Sequence, residues 1–211
     1  MAALFTRACF FNLLSIFFFS GSVFSQINLS GRVEDETNQR PIANASVYFN
    51  GTTTGTYTDQ EGGFKFENMR LINTDIIVFS PGYELLIFKP VERNIQGRKV
   101  VFRLQRKEGK PGKLQIERES GKQAIIVFKE ALLGLTREAN ECEILNEDAI
   151  YILPGETATE YKLISDTPLI IVNRRLGYRI NYNLLEYSID ILNGVQRLYG
   201  FVLYNELGNP H

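Results

Sequence analysis

The sequence predicts a mainly β protein in two parts. A seven-stranded β-sandwich covers 26–108, and beyond a linker at 109–113 an α+β domain with one helix and a β-meander covers 113–211. Three observations predict this. Short β-rich runs alternate with turn residues through the first half. The stretch Gly55-Thr56-Tyr57-Thr58-Asp59-Gln60-Glu61-Gly62-Gly63-Phe64-Lys65-Phe66 sets two such runs around an acidic, glycine-bearing turn. Helical hydrophobic spacing appears once, after the linker.

Ahead of the sandwich, Arg7 supplies a positive start, 10–19 is an apolar stretch broken by Asn12 and Ser15, and Val23-Phe24-Ser25 reads as a cleavage site before Gln26. That layout is a secretory signal peptide over 1–25. The apolar run is shorter than the roughly 20 residues a spanning helix needs. The expectation is an exported mature chain that starts at Gln26, has no integral membrane span and resides in the periplasm or at the outer-membrane surface. Cys9 precedes the apolar core and is poorly placed for lipid attachment, and Cys142 is then the one cysteine left, so no internal disulfide is expected. The formal charge of the whole chain is -1. Losing Arg7 makes the mature chain one unit more negative, which gives no ground for a nucleic-acid partner.

Strands are expected at 27–33, 45–49, 54–58, 64–66, 76–79, 85–88 and 99–104. Their period of two sets Val47 and Phe49 against Ser46 and Tyr48, and Phe64 and Phe66 against Lys65, so one face of each is buried. Pro41 fixes the backbone entering the second strand, Asn50-Gly51 and Gly62-Gly63 permit left-handed turns, and Asp59 can accept N–H bonds from two residues on. The basic run 103–113 ends the last strand and reads as a linker. A contact site for anionic glycans or lipid headgroups is the weaker alternative there.

Four ordered pieces carry a family likeness: Gly31-Arg32-Val33, Pro41-Ile42-Ala43-Asn44-Ala45-Ser46-Val47, Thr58-Asp59 with Gly62 and Phe64, and Phe79-Ser80-Pro81-Gly82-Tyr83. In these the chain resembles the carboxypeptidase-regulatory-like family. This is a transthyretin-like, Ig-like sandwich found beside metallocarboxypeptidase domains and at the front of outer-membrane receptors of Bacteroidota. The resemblance implies scaffold roles for Gly31, Pro41, Ala45, Val47, Thr58, Asp59, Gly62, Phe64, Gly82 and Tyr83, with Asp59 and Gly62 closing a hairpin that sets strand register. It implies no peptidase activity.

After the linker, Ala124, Phe128, Ala131, Leu132 and Leu135 share one face of a helix over 121–134, although the β-branched run at 125–127 also suits a strand. Strands follow at 149–153, 159–164, 169–172, 178–184, 187–192 and 198–204, a β-meander. The second half also resembles the segment that follows the sandwich in a group of Bacteroidota envelope proteins, through Leu133-Gly134 with Ala139, Cys142, Ile144 and Asn146, Ile171-Val172-Asn173 with Leu176 to Tyr182, and Tyr199-Gly200-Phe201 with Glu206-Leu207. The resemblance implies no activity. It implies a chain that continues further, making this a short or truncated member.

Candidate chemistry is sparse. The single histidine is His211, so a two-histidine zinc site, a catalytic triad and a cysteine–histidine pair each lack a member. No catalytic, metal or cofactor-binding residue is assigned. A glycoside hydrolase needs only two acids, but the candidates Glu141, Glu143, Glu147, Asp148, Glu156 and Glu186 are scattered among basic neighbours. Cys142 reads as a packed cysteine, with Ile144-Leu145 beside it and flanking carboxylates that work against a reactive thiolate. Tyr178 and Tyr182 share a strand face with Ile180 and read as a half-buried stripe, with a binding platform as the alternative. Arg174-Arg175 reads as a charged hairpin tip. These four residues are the candidates for an interaction surface. The expected function is a non-enzymatic envelope protein that binds a protein or a glycan. The alternatives are a carbohydrate-binding accessory of an outer-membrane nutrient receptor system and, further off, a carboxylate-dependent glycoside hydrolase.

Overall fold

The computed structural model describes residues 27–69, 73–90, 99–108 and 119–207. The leader at 1–25, the linker at 109–113 and His211 lie outside the described residues.

Seven strands form the first unit: β1 (Ile27–Asp35), β2 (Ser46–Phe49), β3 (Gly55–Tyr57), β4 (Gly63–Met69), β5 (Ile76–Phe79), β6 (Leu86–Phe88) and β7 (Lys99–Leu104). They make a three-stranded sheet of order β4-β1-β7 and a four-stranded sheet of order β3-β2-β5-β6. The alternation in the sequence fixes what lies between them. Leu29, Val33, Phe64, Phe66, Phe102 and Leu104 of the first sheet meet Val47, Phe49, Ile76 and Val78 of the second. Phe64 stacks on Phe102 with centroids 5.4 Å apart, and Phe66 meets Phe49 edge-on at 5.5 Å. Such ring pairs add to the area term.

The acidic-glycine turn is a corner between the two sheets, and this differs from the hairpin the resemblance implies: β3 belongs to one sheet and β4 to the other. Asp59 Oδ1 accepts the N–H groups of Glu61 at 3.0 Å and Gly63 at 2.7 Å. Gly62 has φ +72°, and a Cβ there would lie 2.5 Å from the Val33 carbonyl oxygen, so no larger residue fits. Buried Thr58 donates its hydroxyl to the Ile42 carbonyl at 2.6 Å and accepts the Ala45 N–H at 2.8 Å. The corner thereby fixes how far apart the sheets stand rather than the register within either.

A second anchor lies at the end of β1. Asp35, 1% exposed, accepts bonds from the Thr37 and Asn38 N–H groups, from the Tyr83 hydroxyl at 3.0 Å and from Arg106 Nε at 2.6 Å. The Arg106 guanidinium lies over the Tyr83 ring. Burial alone would push the Asp35 carboxyl up, but these donors together hold it below its ordinary value.

The second unit contains helix α1 (Glu119–Leu133) and β8 (Cys142–Ile144), β9 (Ile150–Pro154), β10 (Glu160–Ser165), β11 (Leu169–Asn173), β12 (Tyr178–Asp190) and β13 (Val195–Glu206). The register shows a meander of four long runs. β8 and β9 lie end to end, β10 and β11 lie end to end beside them, and β12 and β13 complete the sheet. Pro168 lacks an N–H and interrupts the second run. Asn146 bridges the gap, donating to the Pro168 carbonyl at 3.0 Å and accepting the Ile170 N–H at 2.8 Å. Two details differ from the sequence reading. β12 is one strand with a bulge at Leu185 rather than two strands, and β8 has no counterpart in the expected set.

Helix α1 lays Ala124 and Phe128 on the sheet against Leu163, Leu169, Ile171, Leu184 and Tyr187. Ala131 and Leu135, expected on this face, are exposed. The helix stops at Leu133, where Gly134 turns back and donates its N–H to the Glu130 carbonyl at 2.9 Å, so Leu135 leaves the helical face.

The two units are docked. Period two left Tyr48 and Ile77 on the outward face of the four-stranded sheet, yet they are 1% and 0% exposed because Phe201 and Leu203 of β13 cover them. Close approach is possible at Gly55, where a Cβ would lie 3.1 Å from Leu203 Cδ1. The turn after β2 continues the seam as backbone pairing: Gly51 N–H to Val202 carbonyl at 2.9 Å, Tyr204 N–H to Thr52 carbonyl at 2.9 Å, and Val202 N–H to Asn50 Oδ1 at 3.0 Å.

Candidate functional site

Register builds a cleft at this seam. On the outward face of the four-stranded sheet, Tyr57, Ser46 and Phe79 form one row and Gly55, Tyr48 and Ile77 form the next. β13 covers the second row and leaves the first open, and Asn181, Asn183 and Pro168 of the second unit stand across from it. The space encloses about 180 Å³. Its chemistry is unusual for a surface depression because no side chain that lines it is charged. Asn183, 5% exposed, donates from Nδ2 to the Tyr48 hydroxyl at 2.7 Å. Burial pushes the Tyr48 hydroxyl up, so it stays neutral at any physiological pH. Asn181 Oδ1 accepts from Arg179 Nε at 3.1 Å, and among the described residues its amide nitrogen donates to no partner. At the mouth, the Tyr57 ring is 62% exposed.

A second feature is the outer edge of β13. The Val202 and Tyr204 N–H groups point away from β12 and are taken by Asn50 and Thr52. Strand alternation then points the Gln196, Leu198 and Gly200 backbone groups the same way, and among the described residues no pairing covers them. Val195, Leu198 and Tyr199 are exposed around this free half.

Other candidates resolve into scaffold. Tyr178 and Tyr182 line a crevice of about 190 Å³ under the end of α1, with Leu133, Ile180 and Cys142. Burial pushes the Tyr182 hydroxyl up to about 12. Cys142 is half-buried, and its sulfur accepts from Asn173 Nδ2 at 3.4 Å. Arg174 and Arg175 occupy the turn between β11 and β12 and pair with Glu143 and Glu141, each at 2.7 Å. Exposed pairs of this kind contribute little to stability. A wide, open depression of about 880 Å³ lies over the outer face of the three-stranded sheet and the edge of β3, where Arg32 is engaged by the Glu61 carbonyl and Lys65 by Glu67.

The acids do not gather. Glu141, Glu143, Glu147 and Glu186 each pair with a separate cation at the surface. Register does place Glu160 opposite Asp190. Bonds from the Asn193 amide, the Thr159 hydroxyl and nearby N–H groups hold the Asp190 carboxyl below its ordinary value, and Glu160 Oε2 accepts the Glu156 N–H. Both carboxylates close turns, and a depressed carboxyl is the reverse of what a general acid needs. Among the described residues no group of three or more His, Cys, Asp or Glu side chains could hold a metal ion, and no helix is long and apolar enough to cross a membrane.

The seam, and with it the cleft, was missed in the sequence. The signal was present at 76–79, Ile-Ile-Val-Phe, a strand apolar on both faces and buried throughout. Such a strand belongs to a sheet covered on both sides.

Comparison with known proteins locates one module. Residues 29–110 match the family model of the CarboxypepD_reg-like domain, a non-catalytic β-sandwich. No curated protein matches the chain.

Proposed function

We propose that this protein is an exported component of a Bacteroidota-type cell envelope that works by binding another envelope molecule rather than by catalysis. One observation carries the reading: β13 is half closed and half open. The turn after β2 shows that its edge accepts a further backbone segment, and the free half at 195–200 offers the same outward groups beside exposed Val195, Leu198 and Tyr199. An edge of that kind takes an extended strand from a partner, with main-chain bonds for affinity and flanking apolar side chains for selectivity. The leader expected at 1–25 supports an encounter outside the cytoplasm.

The test is fractionation of cells expressing the full chain, with mass spectrometry of the amino terminus and site-specific photocrosslinking from position 198. The expected result is a chain beginning at Gln26 in the envelope fraction that crosslinks to one envelope protein, the crosslink being lost in Leu198→Pro. An intact leader in the cytosol, or crosslinking indifferent to Leu198→Pro, would overturn the reading. A second reading, recognition of carbohydrate, is favoured by the neutral cleft at the seam.

A further inference from the structure

We infer that the cleft between the two units is a binding site for one neutral sugar unit of a glycan. The inference rests on the reading above that the protein acts by binding, and it adds a ligand class and a second, separate site.

Size limits the ligand first. A drug-sized pocket holds roughly 300 Å³ or more, whereas this space encloses about 180 Å³, enough for one ring and not for an extended segment. Charge limits it next. The lining side chains are all neutral, and the neighbouring cation, Arg179, is already bonded to Asn181 Oδ1, so a charged group would enter without a dedicated counterion in the lining and lose hydration for little return. The polar groups that are present suit hydroxyls. A sugar hydroxyl both donates and accepts, and the primary amide is the side chain that offers both in one plane. Asn181 has amide N–H groups to donate. Asn183 is held by the Tyr48 hydroxyl through its nitrogen, so its Oδ1 is left to accept. Holding that buried amide in one orientation before a ligand arrives lowers the cost of ordering it on binding. The exposed ring of Tyr57 supplies the remaining element, a flat face on which the C–H face of a pyranose packs favourably.

The site also explains a departure from economy in the interface. Phe201 and Leu203 seal the seam by apolar contact with Tyr48 and Ile77, yet the Tyr48 hydroxyl ends in a buried hydrogen bond to Asn183 beside the cleft, a polar pair that stability alone does not call for.

The test is a two-dimensional NMR titration of the mature chain. The probes are methyl glycosides of glucose, galactose, mannose and N-acetylglucosamine, with methyl glucuronide as the charged counterpart and a capped Pro-Pro dipeptide as the peptide counterpart. At least one neutral glycoside should shift the Asn181 and Asn183 side-chain amides and the Tyr57 ring signals, with weak affinity near the millimolar range expected of a single ring, on the order of 1 mM. Tyr57→Ala and Asn181→Ala, at positions outside the packed seam, should each weaken it about five- to tenfold, with circular dichroism unchanged. Absence of shifts for all four glycosides up to about 50 mM, shifts that map elsewhere, or equal response to the glucuronide or the dipeptide would overturn the inference. Leu198→Pro should leave the titration unchanged. Failure of the sugars while the position 198 crosslink persists would remove this site and leave the edge-binding reading intact.

Discussion

The Tyr48–Asn183 hydrogen bond is the most informative single contact to perturb, because it joins the two units at a point where both partners are almost wholly buried. Tyr48→Phe keeps the ring against Phe201 and Leu203 and removes only the oxygen. The Asn183 Nδ2 group then loses its acceptor, and a buried donor left unpaired costs about 1–3 kcal/mol. The pair borders the cleft, where a water can take the vacated position, so the lower part of that range applies, about 1–2 kcal/mol. Asn183→Ala should cost a similar amount. The double variant should cost less than the sum of the two by about 1 kcal/mol, the signature of groups that act on each other. Urea denaturation followed by both far-ultraviolet circular dichroism and tyrosine fluorescence measures all three variants. Single-variant losses under about 0.5 kcal/mol, or strict additivity, would show that the bond does not join the units in solution and would refute the docking geometry.

Two further outcomes follow from the sandwich. Thr58→Val keeps the shape of a side chain that is 3% exposed but orphans the Ile42 carbonyl and the Ala45 N–H; equilibrium denaturation should show a loss of about 2–4 kcal/mol, and a neutral result would contradict the role given to the corner. Asp35 is held below its ordinary value of 3.8 in the fold. Its contribution is therefore complete above that value and is lost as pH falls through the lower folded one, a window in which the unfolded chain binds more protons and stability rises with pH. Urea midpoints collected from about pH 6 down to about pH 2 should fall less steeply below the ordinary carboxyl value in Asp35→Asn than in the parent. Identical slopes would show that Asp35 is not the group responsible.

The sandwich was legible because its determinants are local. Alternation at 45–49 and 64–66, the acceptor geometry of Asp59 and the demand for glycine at 62 are each decided within a few residues, and all appear where the sequence placed them. The meander was legible in outline for the same reason. What escaped was set by partners distant in sequence. Tyr48 reads as a solvent-facing tyrosine until Leu203, far along the chain, is laid over it. Ala131 reads as a core-face position, yet it is exposed while Ala124 and Phe128 of the same stripe pack on the sheet. The bulge at Leu185 keeps β12 continuous where separate strands were expected at 178–184 and 187–192. The corner at 58–64 was recognised as a turn, but local sequence cannot say whether two strands joined by a turn lie in one sheet or in two. The cleft belongs wholly to this distant class, since Tyr57 and Asn181 meet only after docking.

The central claim is that β13 docks on the sandwich through its C-terminal half and leaves its N-terminal half free, and amide hydrogen exchange resolved by residue tests it directly. The N–H groups of Val202 and Tyr204 are bonded to Asn50 and Thr52 of the other unit, whereas those of Leu198 and Gly200 point outward from the same edge with no partner among the described residues. The account predicts strong protection at Val202, Tyr204 and Gly51 together with rapid exchange at Leu198 and Gly200. Val202 and Tyr204 exchanging as fast as Leu198 would mean that the seam does not form in solution, and the cleft would vanish with it.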